Sequence, residues 1–323
     1  MNHYVTLFDS NFLPQGLALY ESMARYAHPF TLWILCMDEK AHEVLQRMDR
    51  RGVRLIPISE VETPELVNVR QKRTRVEYCW TLTPWTPKIV FERDKSVERV
   101  TYLDADMYFF KSPEPIHEEF RATDKSVLIS DHAYDFGNDH TVTSGQYCVQ
   151  FMTFVRDKSE PVRQWWEARC LEWCFARREN GRYGDQKYLD DWPRRFPEQV
   201  HVLQQLNLLL GPWNTKRFHY SQGVAWHFHG LRLLEGGKVQ LHPGYSVSTE
   251  VHTHVYLPYV ELLRDVSEET REHIVQSTSA SFWHIIPSSL RSLLRRGLKM
   301  AAKVNAFLRS GSEPEISRQS GFD

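Results

Sequence analysis

The chain has 323 residues, 41% of them hydrophobic, with 40 lysines and arginines against 41 aspartates and glutamates. That balance excludes a nucleic-acid coat, and the length suits one large domain or two smaller ones. Five cysteines without framework spacing read as reduced core thiols, and no uninterrupted apolar run approaches the ~18 residues of a membrane span, so the expected location is cytoplasmic.

From the N-terminus, "YVTLF" reads as a buried strand. "FLPQGLALYESMARYA" follows as a helix, with Leu13, Leu17, Tyr20 and Ala27 on one side. "FTLWILC" is a second strand, "EKAHEVLQRMDRRG" a helix closed by Gly52, and "VRLIPI" a third strand. This alternation predicts a right-handed parallel α/β unit. A basic stretch, "RQKRTRVEY", leads into a helical reading through "KIVFERD", and the strand "RVTYL" delivers "DAD", Asp104 to Asp106. "SVLIS" and "YCVQFMTFV" are strand-like. "EPVRQWWEARCLEWCFARRENG" is a long helix, "GDQKYLDDW" opens another, and "GVAWHFHG" alternates like a strand. Ten tryptophans suit either stacking on sugar rings or a core built of large side chains. The expected division is 1–265 as the main domain, 266–309 as an amphipathic basic helical segment, and 310–323 as a disordered tail. From Phe282 to Leu308 the pattern fits either an interfacial helix on anionic lipid or a helix docked on the main domain.

Two carboxylates inside an apolar run need a partner, because an isolated buried charge is costly. Alternate side chains of an extended chain point the same way, so Asp104 and Asp106 can converge while Ala105 faces the core. Beyond the carboxyl end of a strand in an open α/β sheet, Mg²⁺ or Mn²⁺ would balance both charges. Two solvated acids in a strand-end turn are the plainer alternative. In "GVAWHFHG", His227 and His229 share one face and either could complete a metal site, or both could be ordinary half-exposed histidines; Gly230 has no side chain to block a phosphate. Asp185 is either a helix cap or, with Gln186, the mouth of a pocket. "RQKRTR" is either a solvated loop or a diphosphate clamp.

Taken in this order, "YLDADMYFF", "GDQKYLDDW" and "HFHG" resemble the nucleotide-sugar glycosyltransferases of the GT-A fold, glycosyltransferase family eight above all, from about Tyr4 to Pro243. The resemblance implies a Rossmann-like mixed sheet flanked by helices, with a C-terminal helical extension. It implies that Asp104, Asp106 and His227 hold Mn²⁺ or Mg²⁺ against the donor diphosphate, with Gly230 contacting that diphosphate. Thr6 and Asp9 match positions at the nucleotide base, and Phe12 a position where an aromatic ring stacks on it. Asp131 matches an acid near the donor sugar, Asp185 and Gln186 the pair closest to the anomeric carbon, and Arg75 (or Arg73) the donor-binding arginine. The implied activity is metal-dependent transfer from a nucleotide-diphosphate sugar, a UDP-sugar favoured, to a glycan or lipid-linked acceptor, with retention. Membrane contact would be peripheral, at the inner face of the cell membrane through the C-terminal helix, and nucleic acid is not a partner. The family's Asn-x-Gly falls on Cys148 and Gln150 here, or alternatively on Thr143 to Gly145, and its lysine after the HF-x-G glycine is replaced by Arg232. These departures raise a non-catalytic sugar-nucleotide or glycan binder as the alternative. A haloacid-dehalogenase-like Mg²⁺ phosphatase fits less well, because its Asp-x-Asp opens the chain.

Overall fold

The computed structural model describes residues 1–234, 238–242 and 244–285. Residues Met1–Thr270 form one compact unit, and Arg271–Asp323 a second, described only to the end of the helix Leu257–Ile285. Of the expected amphipathic segment 266–309, residues 266–285 belong to the helix Leu257–Ile285, while 286–309 and the tail 310–323 fall outside the described residues. Among the described residues no helix is long and apolar enough to cross a membrane.

The main unit is built on a seven-stranded mixed sheet. In chain order its members are β1 (Asn2–Phe8), β2 (Phe30–Cys36), β3 (Val53–Pro57) and β4 (Arg99–Leu103). After the short strand β5 (Met107–Phe109), which lies elsewhere, come β6 (Val127–Asp131), β7 (Tyr147–Val155) and β8 (Val200–Val202). The spatial order is β3-β2-β1-β4-β7-β6-β8. The first four strands are parallel, whereas β7 runs antiparallel to both β4 and β6. The carboxyl ends of β1, β2, β4 and β6 therefore share one edge.

β2 is buried along its whole length, as expected of a strand covered on both faces. Alternation sorts the side chains: Val5 and Leu7, Trp33 and Leu35, Val100 and Tyr102 join one core cluster with Trp166 and Trp192. The helical reading before β4 is broken in three, into α1 (Arg75–Leu82), a 3₁₀ turn Thr83–Trp85 and α2 (Thr86–Arg93). Pro84 and Pro87 cannot supply the N–H groups that a continuous helix needs. The helix after β2 stops at Met48 with Asp49 in the left-handed region, rather than at Gly52, which turns the chain into β3. The long helix expected over 160–181 ends at Glu172. There Trp173 becomes extended, and the Ala176 N–H donates to Glu77 Oε1 instead of to a helical carbonyl.

A second, three-stranded sheet pairs β5 with β10 (Ala225–His227), and β10 with β9 (Leu209–Leu210). Its own core holds Leu210, Trp226, Phe228, Tyr256 and Tyr259, with the Phe228 and Tyr259 rings stacked 3.5 Å apart. Trp226 and Phe228 point into that core, which turns His227 the other way.

Candidate functional site

The two aspartates come together by a turn, not by strand alternation. β4 ends at Leu103; the Asp104 N–H donates to the Gln150 carbonyl at 3.1 Å, and the Met107 N–H returns to the Asp104 carbonyl at 3.2 Å. The chain then enters β5, where Met107 pairs with His227 of β10 and the Phe228 N–H donates to the Asp106 carbonyl. A hairpin-like pairing between distant segments thus sets the imidazole over the turn. His227 Nε2 lies 3.1 Å from Asp106 Oδ1 and 3.8 Å from Asp104 Oδ2. One ligand atom from each of Asp104, Asp106 and His227 falls within 4.8 Å of the others, which is the spacing of a metal site.

Electrostatics agree with a cation at this point. Burial pushes the Asp104 carboxyl up to about 6, with His227 opposing and Asp106 adding to the rise. Burial also works against ionised Asp106, but the adjoining His227 prevails and draws it down to about 2. Burial alone would lower His227; Asp106, Cys148 and Asp104 override it and hold its proton well above the usual range. A proton on His227 thus sits where a cation would, and with that proton displaced two hard carboxylate donors and one imidazole suit Mn²⁺ or Mg²⁺ there. Tyr102, two residues before Asp104, donates its hydroxyl to Asp104 Oδ1 at 2.9 Å.

Asp185 lies on the same edge. Its side chain does not cap the 3₁₀ helix Gln186–Asp191 that follows it. Oδ2 is buried without a hydrogen-bond partner among the described residues, and the main-chain carbonyl accepts from Trp166 Nε1 at 2.9 Å. Burial, followed by the charge of Asp104, raises its carboxyl to about 8. The Gln186 amide donates to the Ser144 carbonyl at 2.8 Å. Gly145 sits against it at φ +114, a value that side-chain-bearing residues rarely adopt, and an added Cβ would lie 3.7 Å from Gln186 Cγ. Of the two segments onto which the family's Asn-x-Gly could fall, Thr143–Gly145 is thus the one beside Gln186. Gln150 is instead wholly buried and bonds His227, its Oε1 3.2 Å from Nδ1.

Thr6, Asp9, Phe12 and Arg75 form a second group around β1 and the end of β2. Thr6 is fully buried, its Oγ1 without a partner among the described residues. Asp9 accepts from the Asn11 and Phe12 N–H groups. Arg75, at the start of α1, forms ion pairs with both Asp9 and Asp38. Arg73 turns inward, donating to Thr81 and to the Leu171 carbonyl, so of the two candidate arginines only Arg75 stands at the edge of the sheet. The Arg232 guanidinium lies 4.6 Å from the centre of the Phe12 ring and acts on Asp106, linking this group to the aspartates. Gly230 has φ +76, a turn that needs glycine. Asp131 stands apart, accepting from Ala133 N–H and Gln146 Nε2, on the wall of a cavity of about 310 Å³.

Four contributors had escaped sequence reasoning. Tyr102 was recoverable from its spacing to Asp104. Asp38 was hidden by its ordinary duty as a helix cap, accepting from Ala41 and Ser10. Trp213, edge-on to His227 at 5.3 Å, and the role of Gln150 carried no local signal.

The fold is that of the GT-A nucleotide-sugar glycosyltransferases. The galactosyltransferase LgtC, solved with donor and acceptor sugar analogs, superposes with a TM-score of 0.52 at 14% identity, over 90% of this chain and 99% of that one. Mouse xyloside xylosyltransferase 1 gives a TM-score of 0.49 at 16% identity, over 71% of this chain and 98% of that one. The chain belongs to the family of the uncharacterized protein YfnF of Bacillus subtilis, with 30% identity over 301 residues, 84% of this chain and 92% of that protein. The uncharacterized protein YfnD of the same organism is 27% identical over 275 residues, 80% of this chain and 87% of its own length. No family model matches the chain.

Proposed function

We propose that the chain is a metal-dependent glycosyltransferase. It moves a sugar from a nucleotide-diphosphate sugar, a UDP-sugar favoured, to a glycan or lipid-linked acceptor, with retention at the anomeric carbon. The observation that carries the reading is the convergence of Asp104, Asp106 and His227 at the carboxyl edge of a GT-A sheet. These three side chains would hold Mn²⁺ or Mg²⁺, which would supply Lewis-acid neutralisation of a diphosphate leaving group.

The chain's own residues do the rest. Arg75 fixes Asp9 at the nucleotide end, with Thr6 behind it and Phe12 offering a ring face to the base. The left-handed backbone at Gly230 lets the diphosphate approach closely. Asp131 takes a hydroxyl of the donor sugar. Asp185 and Gln186 lie nearest the anomeric carbon and stabilise the positive charge that develops there. No covalent nucleophile is assigned.

A panel of nucleotide sugars, incubated with Mn²⁺ or with chelator, tests the reading. Release of nucleoside diphosphate from one donor, abolished by chelation, is expected. Phosphate release from simple phosphate esters, with every nucleotide sugar left intact, would contradict it. The protein works in the cytoplasm, at the inner face of the cell membrane. Support for that placement comes from the interleaved arginines, lysines and leucines beyond Pro287. Liposome co-sedimentation unaffected by truncation after Thr278 would argue against it.

A further inference from the structure

We propose that Gln150 is a positioning residue for the metal ligands, holding His227 in the tautomer that presents Nε2 to the cation. This rests on the metal-site reading above and adds to it a residue outside the ligand set.

Gln150 lies inside β7 with no exposed surface. It holds two ligands at once. Its main-chain carbonyl accepts the Asp104 N–H at 3.1 Å, and its Oε1 is 3.2 Å from His227 Nδ1. A neutral imidazole has one N–H and one lone pair, and the bond made by one nitrogen decides which nitrogen is left to a metal. An Nδ1–H donated to Oε1 leaves the lone pair on Nε2, the nitrogen that faces Asp106 Oδ1 and Asp104 Oδ2. The reverse amide orientation would point an N–H at Nδ1, force the imidazole proton onto Nε2 and close the site.

Two further observations favour this over a packing role. Gln150 Nε2 has no hydrogen-bond partner among the described residues, so bonding to the rest of the core does not account for an amide there. The other groups against the ring do not replace it. Cys148 brings a thiol, a weak partner, and Trp213 meets the imidazole edge to face at 5.3 Å. Histidine ligands generally need such an acceptor on the second nitrogen, and its loss costs about 10–100-fold in metal affinity.

The test is Mn²⁺ affinity, read by electron paramagnetic resonance of the free ion, on the full chain and its Gln150→Met and Gln150→Glu variants. Gln150→Met keeps the volume and removes the acceptor; affinity should fall roughly 10–100-fold. Gln150→Glu keeps an acceptor and should restore binding close to the starting value. Wild-type affinity in Gln150→Met, or equal loss in both variants, would overturn the proposal. Should Gln150→Met not fold, the nitrogen-15 spectrum of histidine-labelled wild-type protein with Mg²⁺ decides: a proton on Nδ1 of His227 supports the assignment and a proton on Nε2 overturns it. If the unaltered chain binds no Mn²⁺, the metal-site reading itself fails, and this inference goes with it.

Discussion

Asp104 and Asp106 are the residues on which the account turns. Replacing either by alanine removes a buried charge that now has a close imidazole partner, and the remaining carboxylate and His227 can still pair. We expect loss of Mn²⁺ binding and of transfer, with a melting midpoint close to that of the unaltered protein; calorimetry beside an activity assay checks both. Arg75 offers a different kind of test. It is half exposed, so its ion pairs with Asp9 and Asp38 are each worth only about 0.2–1 kcal/mol. Arg75→Ala should leave stability almost unchanged and raise the KM for the donor, because Asp9 loses the group that fixes it. Sequence spacing exposed the Asp104 and Asp106 pair because two carboxylates within an apolar run are conspicuous, whereas the choice of His227 over His229 came from the family resemblance. Spacing did not expose Gln150, whose use depends on a partner 77 residues away.

At the level of elements, the site is made by interruptions of regular structure. The "DAD" segment was expected to be extended; it is a turn that hands the chain from one sheet to another. The long helix expected over 160–181 stops at Glu172, and the irregular segment after it brings Asp185 under Trp166. Apolar periodicity could not show this stop, because the residues after Glu172 continue the pattern while Glu77 captures the Ala176 N–H. Trp166 is wholly buried, set edge to face on Trp192, and its indole N–H fixes the Asp185 backbone. Trp166→Phe retains most of the packing and deletes that bond. A loss of about 0.5–1.5 kcal/mol in urea unfolding is expected, together with a fall in kcat larger than any change in KM.

For the molecule as a whole, the parallel β1–β3 unit was legible because continuous apolar strands alternate with amphipathic helices. The antiparallel entry of β7 and the second sheet were not, since they depend on pairings between distant segments. Stability of the whole fold also has a predictable pH dependence. His117 is buried against Tyr4, with Tyr4 Oη 2.7 Å from Nε2, and burial lowers its pKa from 6.5 to about 4, Arg121 and Arg99 adding to the fall and Glu114 opposing it. The unfolded chain therefore takes up this proton first. The contribution is present above pH 6.5 and is lost as the pH falls towards 4, a change of about 3 kcal/mol at most. Urea unfolding at pH 7.5 and pH 4.5 should show that loss, and His117→Gln should make the decline shallower. The central claim, that a divalent cation at Asp104, Asp106 and His227 holds the donor diphosphate, is tested most directly by calorimetric titration of UDP with and without Mn²⁺. UDP binding should require Mn²⁺ in the unaltered chain and be lost in Asp104→Ala; equal UDP binding with chelator present, or in Asp104→Ala, would contradict that claim.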